Sequence, residues 1–206
     1  FTSKLDKPSI MSNNKEMKDF FDSCAPIWDQ NEEESEKDIS LFLKKYLPVY
    51  KGSKVLDIAC GTGIITKKLF DLSQVDVDAI DLSSKMIDIA KKKYFNYKQL
   101  HFYNQDFISF SNTGYDFEVM FNAYPHFIDR GKLKSTLVRT LKPNGIFAIL
   151  HNCSRKDLVS CHSGVSSNIS RNLLPVDEEA SFYLDLFSLV MADEGLDHYC
   201  ILLKKK

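Results

Sequence analysis

The stretch Lys-Val-Leu-Asp-Ile-Ala-Cys-Gly-Thr-Gly at 54–63 constrains this chain more than any other. Lys54–Ile58 reads as a short apolar strand, the next residues form a turn with two glycines, and Ile64 to Leu72 continue as a helix. Glycine lets the backbone approach a ligand closely, and a helix start offers N–H groups with no intrahelical partner. Strand, glycine turn and helix in that order are a general seat for a nucleotide-like ligand in an α/β sheet.

The flanking elements extend that pattern. Val75–Ile80 reads as a second strand ending at Asp81, Leu100–Asn104 as a third ending near Asp106, Asp116–Phe121 as a fourth ending at Asn122, and Ile146–His151 as a fifth. Helices are expected over Met86–Tyr94, with Ser83-Ser84 as its cap, and over Lys132–Leu141, stopped by Lys142-Pro143-Asn144-Gly145. Arg155–Asn168, capped by Ser154, and Asp177–Tyr183 read as two more. Leu186–Ala192 and His198–Leu203 are split only by the turn around Asp193-Glu194-Gly195, too short for a parallel crossover, so they should form an antiparallel hairpin. Upstream, Asn14–Ser23 and Ser35–Tyr46 read as helices, joined through a turn that carries the only tryptophan, Trp28. The acidic run Glu32–Glu36 suits the positive end of the second helix. The expected fold is α/β: a seven-stranded, mostly parallel sheet with helices on both faces, residues 1–50 forming a helical cap on a single domain at 51–206.

The balance of 27 Lys and Arg against 28 Asp and Glu leaves a net charge of −1, which argues against nucleic acid or an anionic membrane as partner. No apolar run approaches the ~20 residues needed to span a bilayer. Phe1 to Ser12 lack the apolar core of a signal peptide. The cysteines, Cys24, Cys60, Cys153, Cys161 and Cys200, are odd in number and contain no Cys-x-x-Cys pair, so reduced thiols in the cytoplasm are expected.

The chemistry of the turn narrows the ligand. Gly61 and Gly63 are present, but Thr66 stands where the dinucleotide fingerprint needs a third glycine. Asp57 would meet a pyrophosphate with like charge and suits a cationic ligand better. These two features argue against a nicotinamide oxidoreductase. Asp81 lies 18 residues beyond Gly63, at a strand end where a carboxylate accepts from two ribose hydroxyls. Asp106 and Phe107 are placed to take an exocyclic amine and the face of an adenine.

These segments resemble the class I SAM-dependent methyltransferase family (SAM, S-adenosylmethionine). The matching pieces are Val-Leu-Asp-Ile-Ala-Cys-Gly-Thr-Gly at 55–63, Ala-Ile-Asp-Leu-Ser-Ser-Lys-Met-Ile at 79–87, Asn-Gln-Asp-Phe at 104–107 and Leu-Lys-Pro-Asn-Gly-Ile-Phe at 141–147. One departure is Ala59, where the family pattern has glycine; its methyl is expected to do no more than tighten the turn. The resemblance implies a Rossmann-like fold of strand order 3-2-1-4-5-7-6 and SAM as cofactor. The cofactor-binding residues are then Asp57, Ala59, Gly61, Gly63, Asp81, Leu82, Met86, Asp106, Phe107 and Asn122. The chain is also similar to a narrower bacterial subgroup of small methyltransferases, through Phe20–Asp29, Tyr124-Pro125-His126-Phe127 and His151–Arg155. In that family an N-terminal aromatic closes over the methionine end of SAM, a place Trp28 could fill, or Trp28 could instead pin the N-terminal helices.

The acceptor should lie above the ends of the fourth and fifth strands. His126 and His151 are the candidate bases there, and Tyr124, His162, Arg155 and Trp28 the candidate substrate contacts. Arg155, with Arg171 behind it, would suit an anionic acceptor. A metal held by His126, His151 and His162, with Cys153 or Cys161, is a lesser reading, because the spacing matches no ligand signature. The expected function is methyl transfer to a small-molecule O, N or S nucleophile by a monomer or homodimer. The competing reading is a SAM-binding sensor without catalysis.

Overall fold

The computed structural model describes residues 10–29, 32–161 and 163–206. Strand β1, Val55–Ile58, is buried along its whole length, Asp57 included, as befits a central strand covered on both faces. It pairs in parallel with β2, Val77–Asp81, on one side and with β4, Tyr115–Phe121, on the other. Beyond β2 lies β3, Leu100–Asn104, and beyond β4 lies β5, Leu141–His151, both parallel. Strand β7, Tyr199–Lys205, runs antiparallel between β5 and the edge strand β6, Phe187–Glu194. The sheet order is 3-2-1-4-5-7-6, in a Rossmann-like arrangement with helices.

The helices are α1, Ile10–Cys24; α2, Glu32–Tyr46; α3, Ile64–Ser73; and α4, Ser84–Lys93. They are followed by α5, Arg130–Thr140; α6, Arg155–Cys161; and α7, Val176–Ser181. Two apolar layers sandwich the sheet. Leu56, Ile58 and Phe147 pack with Leu133, Leu137 and Tyr183 of the α5–α7 side. On the other side Val55, Val77 and Val119 pack with Leu43 of α2 and Leu69 of α3. Leu43 is fully buried, so truncating it to Ala is expected to cost about 2–5 kcal/mol. The N-terminal helix α1 is joined to α4 by Asp22, whose Oδ1 accepts from the Ser83 hydroxyl at 2.5 Å and from Lys85 N at 3.2 Å. Ser83 Oγ in turn caps α4 by accepting from Met86 N.

Two elements differ from expectation. Strand β5 begins at Leu141, opposite Tyr115, and resumes pairing at Ile146 opposite Phe117. The segment 142–145 therefore loops out within the strand, with Asn144 at φ +63°. The helix expected over Arg155–Asn168 ends at Cys161. From Ser163 the chain turns, because Gly164 and the serines favour turns over helix; Ser166 Oγ accepts from Asn168 N, and Ser166 O from Ile169 N.

Candidate active site

The carboxyl ends of β1 to β4 open onto one cavity of about 990 Å³. Ligands of open α/β sheets bind at such ends. Its floor is the glycine turn, Ala59 to Thr62, followed by Asp81, Leu82 and Met86, then Gln105 to Ile108, and then Phe121 to Ala123. Asn14, Met17, Phe21 and Trp28 from the N-terminal segment close it from above, and the residues from His126 to Lys132, with Phe182, complete the wall.

The turn is held in left-handed backbone at Ala59 (φ +59°), Gly61 (φ +55°) and Gly63 (φ +88°). Only glycine adopts that region without cost, so the Ala59 methyl brings backbone strain rather than mere tightness. A Cβ on Gly63 would lie 2.9 Å from Phe102 Cε1 and 3.0 Å from Tyr94 Cε2, which makes Gly63 a packing residue. Above Gly61, Trp28 Nε1 stands 3.6 Å from where a Cβ would be.

Asp81 ties this turn to the next loop. Its Oδ2 accepts from Gly61 N at 2.9 Å and its Oδ1 from Ser83 N at 2.8 Å. Burial raises its pKa to about 6 against the pull of those N–H groups, and the charge of Asp22 pushes the same way as burial. Each oxygen keeps a lone pair, so the group fits a ribose diol. Asp57 sits beneath the turn, fully buried, with Oδ2 accepting from the Thr66 hydroxyl at 2.6 Å. Burial pushes it up to about 7 despite that bond, and Asp81 adds to the rise. Neither Asp57 nor Gly63 is part of the cavity wall.

At the β3 end, Asp106 Oδ1 accepts from Ile108 N at 3.0 Å, and Oδ2 accepts from the Asn14 side-chain amide at 2.8 Å. Asp106 thus already accepts from an amide N–H donor at the cavity wall. Phe107 is buried beside it, 6.4 Å and edge-on from Phe127.

At the β4 end, Asn122 lines the cavity in left-handed backbone (φ +54°), and its amide donates to Asn152 Oδ1 at 2.8 Å. His126 also lines the cavity. Its Nδ1–H donates to the Ile169 carbonyl at 2.9 Å, and Phe21 meets its ring edge-on at 4.9 Å. A carbonyl can only accept, so in the neutral ring Nδ1 carries the proton and Nε2 is the basic nitrogen.

Three candidates do not reach this cavity. His151 is fully buried at the end of β5, opposite Tyr199 of the neighbouring antiparallel β7 and edge-on to its ring at 5.9 Å. Tyr124 turns into the core, where its hydroxyl donates to Glu179 Oε1 at 2.7 Å and lies 2.8 Å from the Tyr183 hydroxyl. Arg155 pairs with Glu194 of the edge strand at 3.0 Å. His162 lies outside the described residues. Among the described residues no group of three His, Cys, Asp or Glu side chains is arranged to hold a metal. Trp28 is half-exposed and in the wall.

Sequence reasoning passed over Asn14, Thr62, Arg130, Lys132 and Phe182. Thr62 belongs to the glycine turn and donates its hydroxyl to Asp29 Oδ1 at 2.6 Å. The contact of Asn14 spans 92 residues and left no local signal. Arg130 begins α5 behind its cap Asp129, two residues before the expected helix start, and that aspartate is the local signal that could have found it.

Such a floor of strand-end carboxylates around a glycine turn defines a Rossmann-like nucleoside seat. Residues 55–145 match the family described as a methyltransferase domain. The chain is 32% identical over 104 residues to the ubiquinone/menaquinone biosynthesis C-methyltransferase UbiE of Wigglesworthia glossinidia brevipalpis, over 47% of this chain and 42% of that protein. It is 32% identical over 99 residues to a malonyl-acyl-carrier-protein O-methyltransferase of Halalkalibacterium halodurans, over 45% of this chain and 36% of that protein. It thus spans less than half the length of these curated relatives. A geranyl diphosphate C-methyltransferase from Streptomyces coelicolor, solved with Mg2+, geranyl diphosphate and S-adenosyl-L-homocysteine (SAH), shares the fold. That likeness has a TM-score of 0.73 and 11% identity, over 96% of this chain and 100% of that one. These similarities support a class I SAM-dependent methyltransferase, with SAM as cofactor.

Proposed function

We propose that this protein transfers the methyl group of SAM to a small-molecule acceptor bound in the same cavity, with His126 as general base. The observation that carries the reading is the single cavity running from the cofactor loops to His126 and beyond. At about 990 Å³ it is at the upper end of the ~300–1,000 Å³ usual for ligand sites, which suits a cofactor and an acceptor together. In this reading Asp81 holds the ribose, Asp106 with Phe107 the adenine, and Ala59, Gly61, Leu82, Met86 and Asn122 line the seat. Trp28 and Phe21 close the side over the turn.

Bound SAM supplies a methyl group made electrophilic by its sulfonium. The chain's own residues position the acceptor in line with it and keep water away, the main sources of rate in such a transfer. Phe21, Phe121 and Phe127 supply the apolar wall. His126 takes the acceptor's proton at Nε2 as the new bond to carbon forms, and the Ile169 carbonyl steadies the resulting imidazolium at Nδ1. The acceptor leaves methylated, SAH is the other product, and the proton passes from His126 to solvent.

A small acceptor is supported by the partly roofed cavity and by the net charge of −1, which lacks the electrostatic footprint of a nucleic-acid binder. A reducing cytoplasm is the compartment this reading takes, supported by the free thiols Cys24, Cys60 and Cys200. Among the described residues no helix is long and apolar enough to cross a membrane. The test is SAH formation from SAM across a panel of small O, N and S nucleophiles. Turnover with a panel member is expected, and His126→Ala should lower kcat by about 10²–10⁴ for weakly acidic acceptors while SAH binding is kept. Turnover only with a macromolecule, or full activity in His126→Ala, refutes the corresponding half of the reading.

A further inference from the structure

The wall formed by the first turn of α5 and by Phe182 differs from the rest of the cavity, because it is cationic. The Arg130 guanidinium lies over the Phe182 ring, 4.3 Å from its centroid, while Lys134, outside the cavity wall and paired with Asp185 at 3.0 Å, lies 4.4 Å from the same ring. Arg130 Nη1 donates to Glu179 Oε1 at 2.9 Å. Glu179 does not depend on that bond. It is fully buried and already accepts from Arg171 at 2.8 and 3.1 Å, from the Tyr124 hydroxyl at 2.7 Å and from Leu174 N at 3.3 Å. Burial alone would raise its pKa, but the Arg171 pairing reverses this and keeps it an anion.

Glu179 therefore orients Arg130 more than Arg130 satisfies Glu179. Among the described residues it is the only hydrogen-bond acceptor Arg130 has, and a guanidinium has five donors in a planar fork. The stack on Phe182 fixes the plane and leaves its edge for further bonds. The charges do not balance. Arg130, Arg171 and Lys132 stand against Glu179 and Asp129, leaving one positive charge. Asp129 is engaged in capping α5, accepting from Lys132 N at 3.0 Å. The other carboxylates of the cavity, Asp81 and Asp106, belong to the cofactor loops.

Resting on the methyl-transfer reading above, we propose that this wall is the subsite for an oxyanion, a carboxylate or phosphate group, carried by the methyl acceptor. Arg130 makes the direct contact, bidentate where the geometry of the anion allows, and Lys132 adds its charge. Phe182 and Glu179 are positioning residues. Phe127 and Ile128, on the approach to Arg130, face the apolar body of the acceptor. The substrate class is then a small, largely apolar acid or phosphate ester that also bears a nucleophilic O, N or S.

Binding separates this from the methyltransferase reading. SAH-saturated protein is titrated with two matched pairs, benzoate against benzamide and phenyl phosphate against benzyl alcohol. The signal is calorimetric heat and the fluorescence of Trp28, the chain's single tryptophan and part of the cavity wall. In at least one pair the anion is expected to bind about 10-fold or more tightly than its neutral partner. The pair showing that preference tells a carboxylate from a phosphate site. Arg130→Gln should erase the preference while the SAH-induced rise in Tm remains, and Arg130→Lys should retain part of it. Phe182→Leu, which removes the stacking platform and leaves Glu179 in place, should weaken it several-fold. Equal affinity within both pairs, no binding of either anion at millimolar concentration, or a preference that survives Arg130→Gln overturns the proposal. If SAH itself fails to raise Tm, the cofactor reading falls; an intact SAH shift without anion preference removes only the subsite.

Discussion

Lowering the pH through the titration of Asp81 should release the cofactor. Its two oxygens already take the N–H groups of Gly61 and Ser83, so accepting two ribose hydroxyls as well demands the ionised form. Burial places its pKa at about 6 in the free protein, above the ordinary 3.8, even though both N–H bonds pull it down. SAH binding selects the carboxylate, so affinity is full above that value and falls as pH drops through it. With a pKa near 6, almost every molecule is ionised at pH 8 and roughly one in ten at pH 5. The Kd for SAH is therefore expected to rise about tenfold between those limits, about 1.4 kcal/mol. Binding near pH 6 should also release a proton. For the free protein the sign is opposite. An acid with a raised folded pKa favours the fold below about 3.8, and that contribution is lost as pH rises through about 6. Calorimetry of SAH binding at several pH values, repeated in two buffers of different ionisation enthalpy, reads both the affinity and the proton. Asp81→Asn should bind SAH weakly with a flat profile over this range. A wild-type Kd that does not change between pH 8 and pH 5, or an unaltered inflection in Asp81→Asn, refutes the assignment.

Three further outcomes test the surrounding structure. Glu118 is fully buried in β4, and burial raises it to about 8, with the nearby Thr140 hydroxyl, Lys205 and Arg139 offsetting only part. Its contribution to stability is present below about 4.5 and lost as pH rises through 8, so Glu118→Gln should stabilise the protein by about 2 kcal/mol at pH 9 and little at pH 5. Urea melts at the two pH values check this, and a loss of stability at pH 9 would contradict it. Ala59→Gly relieves left-handed backbone at φ +59° and should add about 1 kcal/mol, seen as a rise in Tm of roughly 2–4 °C; an unchanged or lower Tm would contradict it. Gly63→Ala, in the same turn, drives a Cβ to 2.9 Å from Phe102 and should cost about 2 kcal/mol or more together with SAH affinity. Wild-type stability in Gly63→Ala would show that Phe102 and Tyr94 move aside freely.

The parts that were legible in the sequence share a short range. A glycine turn, a serine cap before Met86 and the short break around Gly195 act over a few residues, so strand ends, the strand-end carboxylates Asp81 and Asp106 that line the cavity and the antiparallel hairpin could be read directly. The acceptor side was not legible in the same way. His151 and Tyr124 follow or end strands as site residues do, but facing elements decide where their side chains go. Tyr199 of the neighbouring strand β7 packs against His151, and Glu179, 55 residues further on, draws Tyr124 into the core. Arg155 looked placed for an anion until the edge strand supplied Glu194.

By itself, then, the sequence determined a parallel sheet, a nucleoside seat and the carboxylates that line it, because turn geometry and strand periodicity are local. Only the tertiary structure decided that Asp57 and Gly63 stand outside the cavity wall, that His126 lines the cavity while His151 does not, and that Arg130 and Lys132 bring positive charge to that wall. Those choices rest on pairings such as Arg130 with Glu179, 49 residues apart, and Asn14 with Asp106, 92 apart. Burial sets their strength, and burial exists only once the chain has folded.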